Sequence, residues 1–173
     1  QEEEPNLNAL FAKLAKADRL PPVVLLRGQI GQGKSFGAVL LAIEAARNVL
    51  VRCGPPEFGR DIVPSVWWVD WGTLGLVPLG QEREEWYEGR VLVVDGLCDG
   101  ARPNDRAVER AEHIVRYRYD RDRPTVLTTN RTLTQLGELM GAGFCSVLLA
   151  QGNRHIEFAG PQDRRTGGKA ANR

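Results

Sequence analysis

Gly28-Gln29-Ile30-Gly31-Gln32-Gly33-Lys34-Ser35 reads as a complete G-x-x-x-x-G-K-[ST] phosphate-binding loop. The apolar run Val23-Val24-Leu25-Leu26 ahead of it predicts a strand. Phe36-Gly37-Ala38-Val39-Leu40-Leu41-Ala42-Ile43 behind it predicts a helix, so the motif has the strand–loop–helix setting its mechanics require. Its glycines let the backbone curl until successive N–H groups face inward as an anion nest. The helix start adds a partial positive charge. In such a loop Lys34 would reach the β- and γ-phosphates, and the Ser35 hydroxyl would hold Mg²⁺. The candidate nucleotide contacts are therefore Gly28, Gln29, Ile30, Gly31, Gln32, Gly33, Lys34, Ser35 and Phe36, with ATP or ADP and Mg²⁺ as the implied ligands. A dinucleotide fingerprint is not supported, because Phe36 stands where the third glycine of that pattern belongs.

The chain around this loop has 173 residues, of which 42% are hydrophobic and 26% charged, enough for one α/β domain with a sizeable core. No apolar run approaches the ~20 residues needed to span a bilayer, and no basic-then-apolar leader is present. Cys53, Cys98 and Cys145 are odd in number and widely spaced, which points to reduced thiols in a cytoplasmic setting. His113 and His155 stand alone, so a zinc site is not expected. The net charge of +1 conceals an asymmetry: residues 1–100 carry a net of −4 and residues 101–173 a net of +5. A basic second half suits nucleic acid, and equally suits a solvated helix face.

Leu7, Leu10, Phe11 and Leu14 recur at helical spacing, predicting an amphipathic N-terminal helix over residues 6–18 that leads, within residues 1–20, into the core. Pro21-Pro22 ends it and opens a strand at 23–27. The phosphate-loop helix is expected from Gly33 to about Asn48, with a second strand beginning near Leu50-Val51-Arg52. A Gly- and Pro-rich loop follows to Pro64. Ser65-Val66-Trp67-Trp68-Val69-Asp70-Trp71 reads as a strand. Its three tryptophans fit packing on two covered faces, or else an aromatic patch for a partner. Residues 73–88 read as a short helical or irregular connection.

Arg90-Val91-Leu92-Val93-Val94-Asp95 is an apolar strand ending in a carboxylate, and after such a loop Asp95 is the candidate second Mg²⁺ ligand beside Ser35. A helix over 105–120, capped by Asn104, would bury Ala107, Val108, Ala111, Ile114 and Val115 and turn Arg106, Arg110, Arg116 and Arg118 outward. Thr125-Val126-Leu127-Thr128-Thr129 is the next strand, followed by a helix over 132–140 interrupted at Gly141-Ala142-Gly143. Residues 144–150 are ambiguous between helix and strand. Residues 154–158 alternate as a last strand, so the core is expected over 21–161, with a polar, basic and disordered tail over 162–173.

The segment from Val91 to Asn130 resembles the AAA+ helicase loaders of the DnaC type and the related IstB-type transposition ATPases. The resemblance lies in the order Val94-Asp95, then Tyr117-Arg118-Tyr119, then Pro124-Thr125-Val126-Leu127-Thr128-Thr129-Asn130, and extends to the closing Ile156-Glu157-Phe158-Ala159-Gly160-Pro161. It implies an α/β P-loop NTPase of three layers, α/β/α, whose five-stranded, mainly parallel sheet forms an AAA+ core without an obvious C-terminal lid. The strand ending at Asn130 would lie between the strands leading to Lys34 and to Asp95. Asn130 would sense the γ-phosphate or the attacking water, since its amide both donates and accepts; the ordinary alternative is a turn-forming Asn. Lys34, Asp95 and Asn130 thus form the candidate catalytic set.

Two departures from the family stand out. The acidic residue that usually follows the metal-binding Asp is Gly96 here, with Asp99 the nearest acid, and the family's Ser-Arg pair appears as Ser146-Val147. An arginine acting on a neighbouring subunit's nucleotide is worth ~10³–10⁵ in rate where it is measured. The resemblance therefore implies ATP binding with weak intrinsic ATPase. The implied role is an ATP-dependent loader acting with a replicative helicase on single-stranded DNA, with a homo-oligomer as one arrangement open to it, the helicase being gripped through a segment ahead of Gln1. Arg102, Arg106, Arg110, Arg164, Arg165 and Lys169 are the candidate DNA contacts. A nucleotide-gated module without meaningful catalysis, an IstB-type ATPase and a P-loop small-molecule kinase are the alternatives.

Overall fold

The computed structural model describes residues 20–53, 66–78, 80–100 and 105–158, the side chains of 46–53 excepted. The expected helix over 6–18, the loop from Gly54 to Pro64, the Asn104 cap and the C-terminal tail lie outside the described residues.

Among the described residues ten elements follow in order: β1 (Val23–Gly28), α1 (Lys34–Cys53), β2 (Val66–Asp70), α2 (Trp71–Leu76), α3 (Glu84–Glu88), β3 (Val91–Asp95), α4 (Asp105–Asp120), β4 (Thr125–Thr129), α5 (Leu133–Leu148) and β5 (Arg154–Phe158). The five strands form one sheet in the order β2-β3-β4-β1-β5. All four pairings are parallel, with Leu25 opposite both Leu127 and His155, and Val93 opposite both Trp68 and Val126. The inner strands are apolar at consecutive positions because both faces are covered. Val24, Leu26, Val91, Val93 and Val126 pack with Ala38, Leu41 and Ala42 of α1. Their neighbours Leu25, Leu92, Val94 and Leu127 pack on the opposite face with Leu74, Trp86, Ile114, Leu136 and Phe144. This is the expected three-layer α/β/α arrangement, and β4 lies between β1 and β3.

Two local expectations are corrected and one open reading is resolved. No strand begins at Leu50, because α1 continues to Cys53; the first strong breakers after it are Gly54, Pro55 and Pro56. The tryptophans divide: Trp67 packs against the core, Trp71 is buried at the start of α2, and Trp68 is 41% exposed. The strand is the edge of the sheet, so one of its faces stays open. Residues 144–148, open between helix and strand in the sequence, are helical, and α5 is interrupted at Gly141 as expected, its φ of +83° lying outside helical space. Thr132 and Gln135 start α5 with reciprocal side-chain-to-backbone bonds, a capping box.

The largest correction concerns the arginines of α4. Arg110 and Arg118 face inward, 4% and 0% exposed. Arg110 reaches the Leu74 carbonyl and pairs with Glu82, Nε to Oε1 at 3.1 Å. It cannot serve as the predicted DNA contact. Arg118 donates Nε to Thr125 Oγ1 (3.0 Å), Nη1 to the carbonyls of Trp86 (3.3 Å), Tyr87 (3.0 Å) and Gly89 (2.8 Å), and Nη2 to those of Pro124 (2.7 Å) and Arg90 (3.5 Å). It ties the end of α3 to the starts of β3 and β4. Burial pushes the guanidinium down to about 10, assisted by the charge of Arg123, so it stays cationic at neutral pH.

Candidate functional site

A cleft of about 720 Å³ opens at the carboxyl ends of β1, β3 and β4. That is where open parallel sheets bind ligands, because loops leaving adjacent strands part there. Ile30, Gly31, Gly33, Lys34, Ser35 and Phe36 line one wall, and Asp95, Gly96, Asp99, Gly100, Thr128 and Asn130 the other.

The first wall is the loop between β1 and α1. Gly28, Gly31 and Gly33 have φ of +151°, +84° and +92°, conformations L side chains rarely adopt. The loop is braced from within: Gln29 N donates to Gln32 Oε1 at 2.7 Å, and Gln32 is buried. A Cβ on Gly28 would stand 2.4 Å from that same oxygen. Gly28, Gln29 and Gln32 therefore shape the loop and do not line the cleft, whereas Ile30 and Phe36 do and are 67% and 66% exposed.

Lys34 is 7% exposed, its Nζ donating to Gln29 O at 2.7 Å and to Asn130 Oδ1 at 2.6 Å. Ser35 Oγ donates to Asp95 Oδ1 at 2.8 Å. Thr128 Oγ1 donates to the same oxygen at 2.5 Å and accepts from Gly96 N at 2.8 Å. Thr128 is the cleft residue that sequence reasoning quoted without giving it a task. Its signal was there: a hydroxyl on an otherwise apolar strand, opposite an Asp-terminated one.

The four predicted residues Lys34, Ser35, Asp95 and Asn130 meet in this one cleft from three adjacent strands. Ser35 and Asp95 offer two hard oxygen donors beside a phosphate-sized nest, the donor set a hydrated Mg²⁺ accepts when phosphates complete its shell. Among the described residues no cluster of three or more His, Cys, Asp or Glu suits a metal held by protein alone. No described helix is long and apolar enough to cross a membrane. Arg106 is on α4, while Arg102, Arg164, Arg165 and Lys169 lie outside the described residues. Val147, where the DnaC-type resemblance implies an arginine, packs against the core. Cys98, 1% exposed beneath the cleft floor, has its thiol pushed up to about 11 by burial.

No protein-family model and no curated protein sequence matches the chain. Solved structures do match its fold. A DnaC helicase loader aligns over 92% of this chain and 92% of its own, at a TM-score of 0.68 and 17% identity. A DnaI aligns over 94% and 86%, at 0.63 and 22% identity. AMPPCP-bound DnaA from Aquifex aeolicus aligns over 95% of this chain at 0.63 and 15% identity, and the chain spans 50% of that protein's length. The chain thus shares its fold with these replication proteins, as the DnaC-type resemblance implied.

Proposed function

We propose that this chain is the ATP-binding module of a replication helicase loader, using ATP state to control helicase loading or single-stranded DNA binding, with weak intrinsic ATPase. One observation carries the nucleotide part: Lys34, Ser35, Asp95 and Asn130 converge on one cleft, with Ser35 Oγ 2.8 Å from Asp95 Oδ1 and Lys34 Nζ 2.6 Å from Asn130 Oδ1. The loop amides and Lys34 would bind the phosphates, and Ser35 and Asp95 would hold Mg²⁺. That ion, when bound, neutralises phosphate charge. Lys34 Nζ, which donates to Asn130 Oδ1, would exchange this contact for the γ-phosphate and free that oxygen to accept from the attacking water, and so distinguish ATP from ADP. The loader assignment draws on the fold shared with the DnaC loader and DnaI along nearly their whole aligned chains. A replicative helicase and single-stranded DNA are the partners this reading names, in a cytoplasmic setting, with a homo-oligomer as the arrangement to test.

A second reading, a nucleotide-gated module without meaningful turnover, is favoured by Gly96 and Val147 at positions where an acid and an arginine would act. ATP binding and hydrolysis by the purified chain, with and without single-stranded DNA, separates the two. Lys34→Ala should abolish binding; unchanged affinity would refute the site. DNA-stimulated turnover supports the loader, and tight binding without turnover the gated module.

A further inference from the structure

Between β3 and α4 the chain runs Asp95-Gly96-Leu97-Cys98-Asp99-Gly100. Asp95 is committed to the metal side of the cleft, its Oδ1 accepting from both Ser35 and Thr128. Position 96 has no side chain, and its φ of +73° turns the backbone sharply. Asp99 N closes the turn on Gly96 O at 2.8 Å. A Cβ built on Gly96 would lie 3.4 Å from Asp99 Oδ2 and 3.8 Å from its Cγ. The turn therefore delivers the Asp99 carboxylate to the space beside the side chain that residue 96 lacks.

That carboxylate is held in place. Asn130 donates to it twice, N to Oδ1 at 3.0 Å and Nδ2 to Oδ2 at 2.6 Å. Arg131 fixes the loop from behind, Nε to Cys98 O at 3.0 Å and Nη2 to Gly100 O at 2.6 Å. Leu97 is fully buried, its N bonded to Thr128 O and its carbonyl to Thr129 Oγ1, each at 2.7 Å. Each Asp99 oxygen spends one acceptor direction on Asn130 and keeps another for the cleft it lines.

We propose that Asp99 is the water-activating carboxylate of this site. This rests on the nucleotide reading above. Asp99 would accept a hydrogen bond from a water standing off the γ-phosphorus. As the water oxygen bonds to phosphorus, the bond from phosphorus to the β–γ bridging oxygen breaks, its electron pair leaving with ADP. The water's proton passes to the Asp99 carboxylate and then to solvent or phosphate. Asn130 Nδ2 donates to this base and its Oδ1 accepts from Lys34, so one amide stands between the phosphate-binding lysine and the base.

The test compares wild type with Asp99→Asn, which keeps the shape and an acceptor for Asn130. ATP affinity is measured by titration, and hydrolysis at saturating ATP across pH, with and without single-stranded DNA. Wild type should turn over at about 10⁻⁴–10⁻³ s⁻¹ or faster, the scale of NTPases working without an arginine finger. Asp99→Asn should hold affinity within about threefold while kcat falls about 100-fold or more. Hydrolysis by the variant within threefold of wild type overturns the proposal. So does wild type that binds ATP yet turns over more slowly than about 10⁻⁵ s⁻¹, an outcome that leaves the nucleotide site standing. Absence of ATP binding by wild type defeats the nucleotide reading itself and this proposal with it. If Asp99→Asn shows no melting transition, Asp99→Ser is read by the same criteria.

Discussion

Replacing Arg118 tests whether the α4 arginines are surface charges or framework. The guanidinium has five N–H groups and six acceptors within hydrogen-bond range, so Nη1, with three carbonyls, shares one proton. Three contacts are buried at both ends: Thr125 Oγ1, Trp86 O and Gly89 O. Arg118→Ala would leave the two carbonyls unpaired away from water, at about 1–3 kcal/mol each. The Thr125 hydroxyl keeps the bond it already donates to Arg123 O at 3.4 Å, losing only an incoming donor, and costs little. Relief from holding a buried cation offsets part of the loss, while the vacated side-chain volume adds to it. The net expectation is about 3–5 kcal/mol, a large share of the ~5–15 kcal/mol that stabilises a domain. Arg118→Lys keeps the charge with fewer donors and no planar fork, and should lose roughly half as much. Urea denaturation at pH 7 measures both. Arg118 grips the amino ends of β3 and β4, opposite the cleft, so Arg118→Lys should bind ATP normally below its melting range. A loss under ~1 kcal/mol in Arg118→Ala would refute the reasoning and return Arg118 to the solvated face predicted for it.

Asp70 caps α2, its carboxylate accepting from Thr73 N at 2.9 Å and from the Thr73 hydroxyl. Asp70→Ala should cost about 1 kcal/mol at pH 7. The Thr73 side-chain bond, then its backbone N–H, lowers the Asp70 pKa below its ordinary 3.8. The cap's contribution is therefore complete above that value and disappears as pH falls through the lower folded one. Equal melting-temperature differences at pH 7 and pH 2.5 would contradict this. Cys98, with its thiol near 11 against an ordinary 9.0, should be about 100-fold less ionised at pH 8 than an exposed cysteine. Mass spectrometry after iodoacetamide should find it unmodified in native protein and modified in urea; equal rates would show that the loop under the cleft is open.

The sheet was legible because its inner strands are apolar on both faces, and such runs, cut by Gly, Pro and Asp, have few other readings. The cleft was legible because the phosphate loop fixes its residues by spacing. The α4 arginines were misread for a reason the sequence does carry: Arg110 and Arg118 fall near the same helical face as Ala107, Ala111, Ile114 and Val115. Charge argued them outward. Yet an arginine whose stem packs and whose head finds carbonyls can lie inward, and which carbonyls lie within reach depends on α2, α3 and the turn after it, 28 to 36 residues earlier in the chain. Trp68 failed in the opposite sense. Its composition implies a covered strand, but strand order places it at an edge, and order is not a local property.

The two features that separate this chain from the resembling loaders act at different distances, which bears on what evolution of such a site allows. A water-activating carboxylate can be resupplied from within the loop, since a glycine turn at Gly96 moves Asp99 three residues forward in sequence and almost nowhere in space. An arginine at position 147 cannot be resupplied that way. Val147 is packed against the core at the end of α5, and Asn153 Nδ2 donates to its carbonyl at 2.6 Å while Asn153 Oδ1 accepts from Val23 N at 3.0 Å. That stretch is engaged in joining α5 to β1, so the missing cation has to come from elsewhere. If ATP turnover by the intact chain rises steeply when a partner is added, and Asp99→Asn removes the rise, the base is built in and the cation is supplied in trans. If the rise survives Asp99→Asn, the partner brings both.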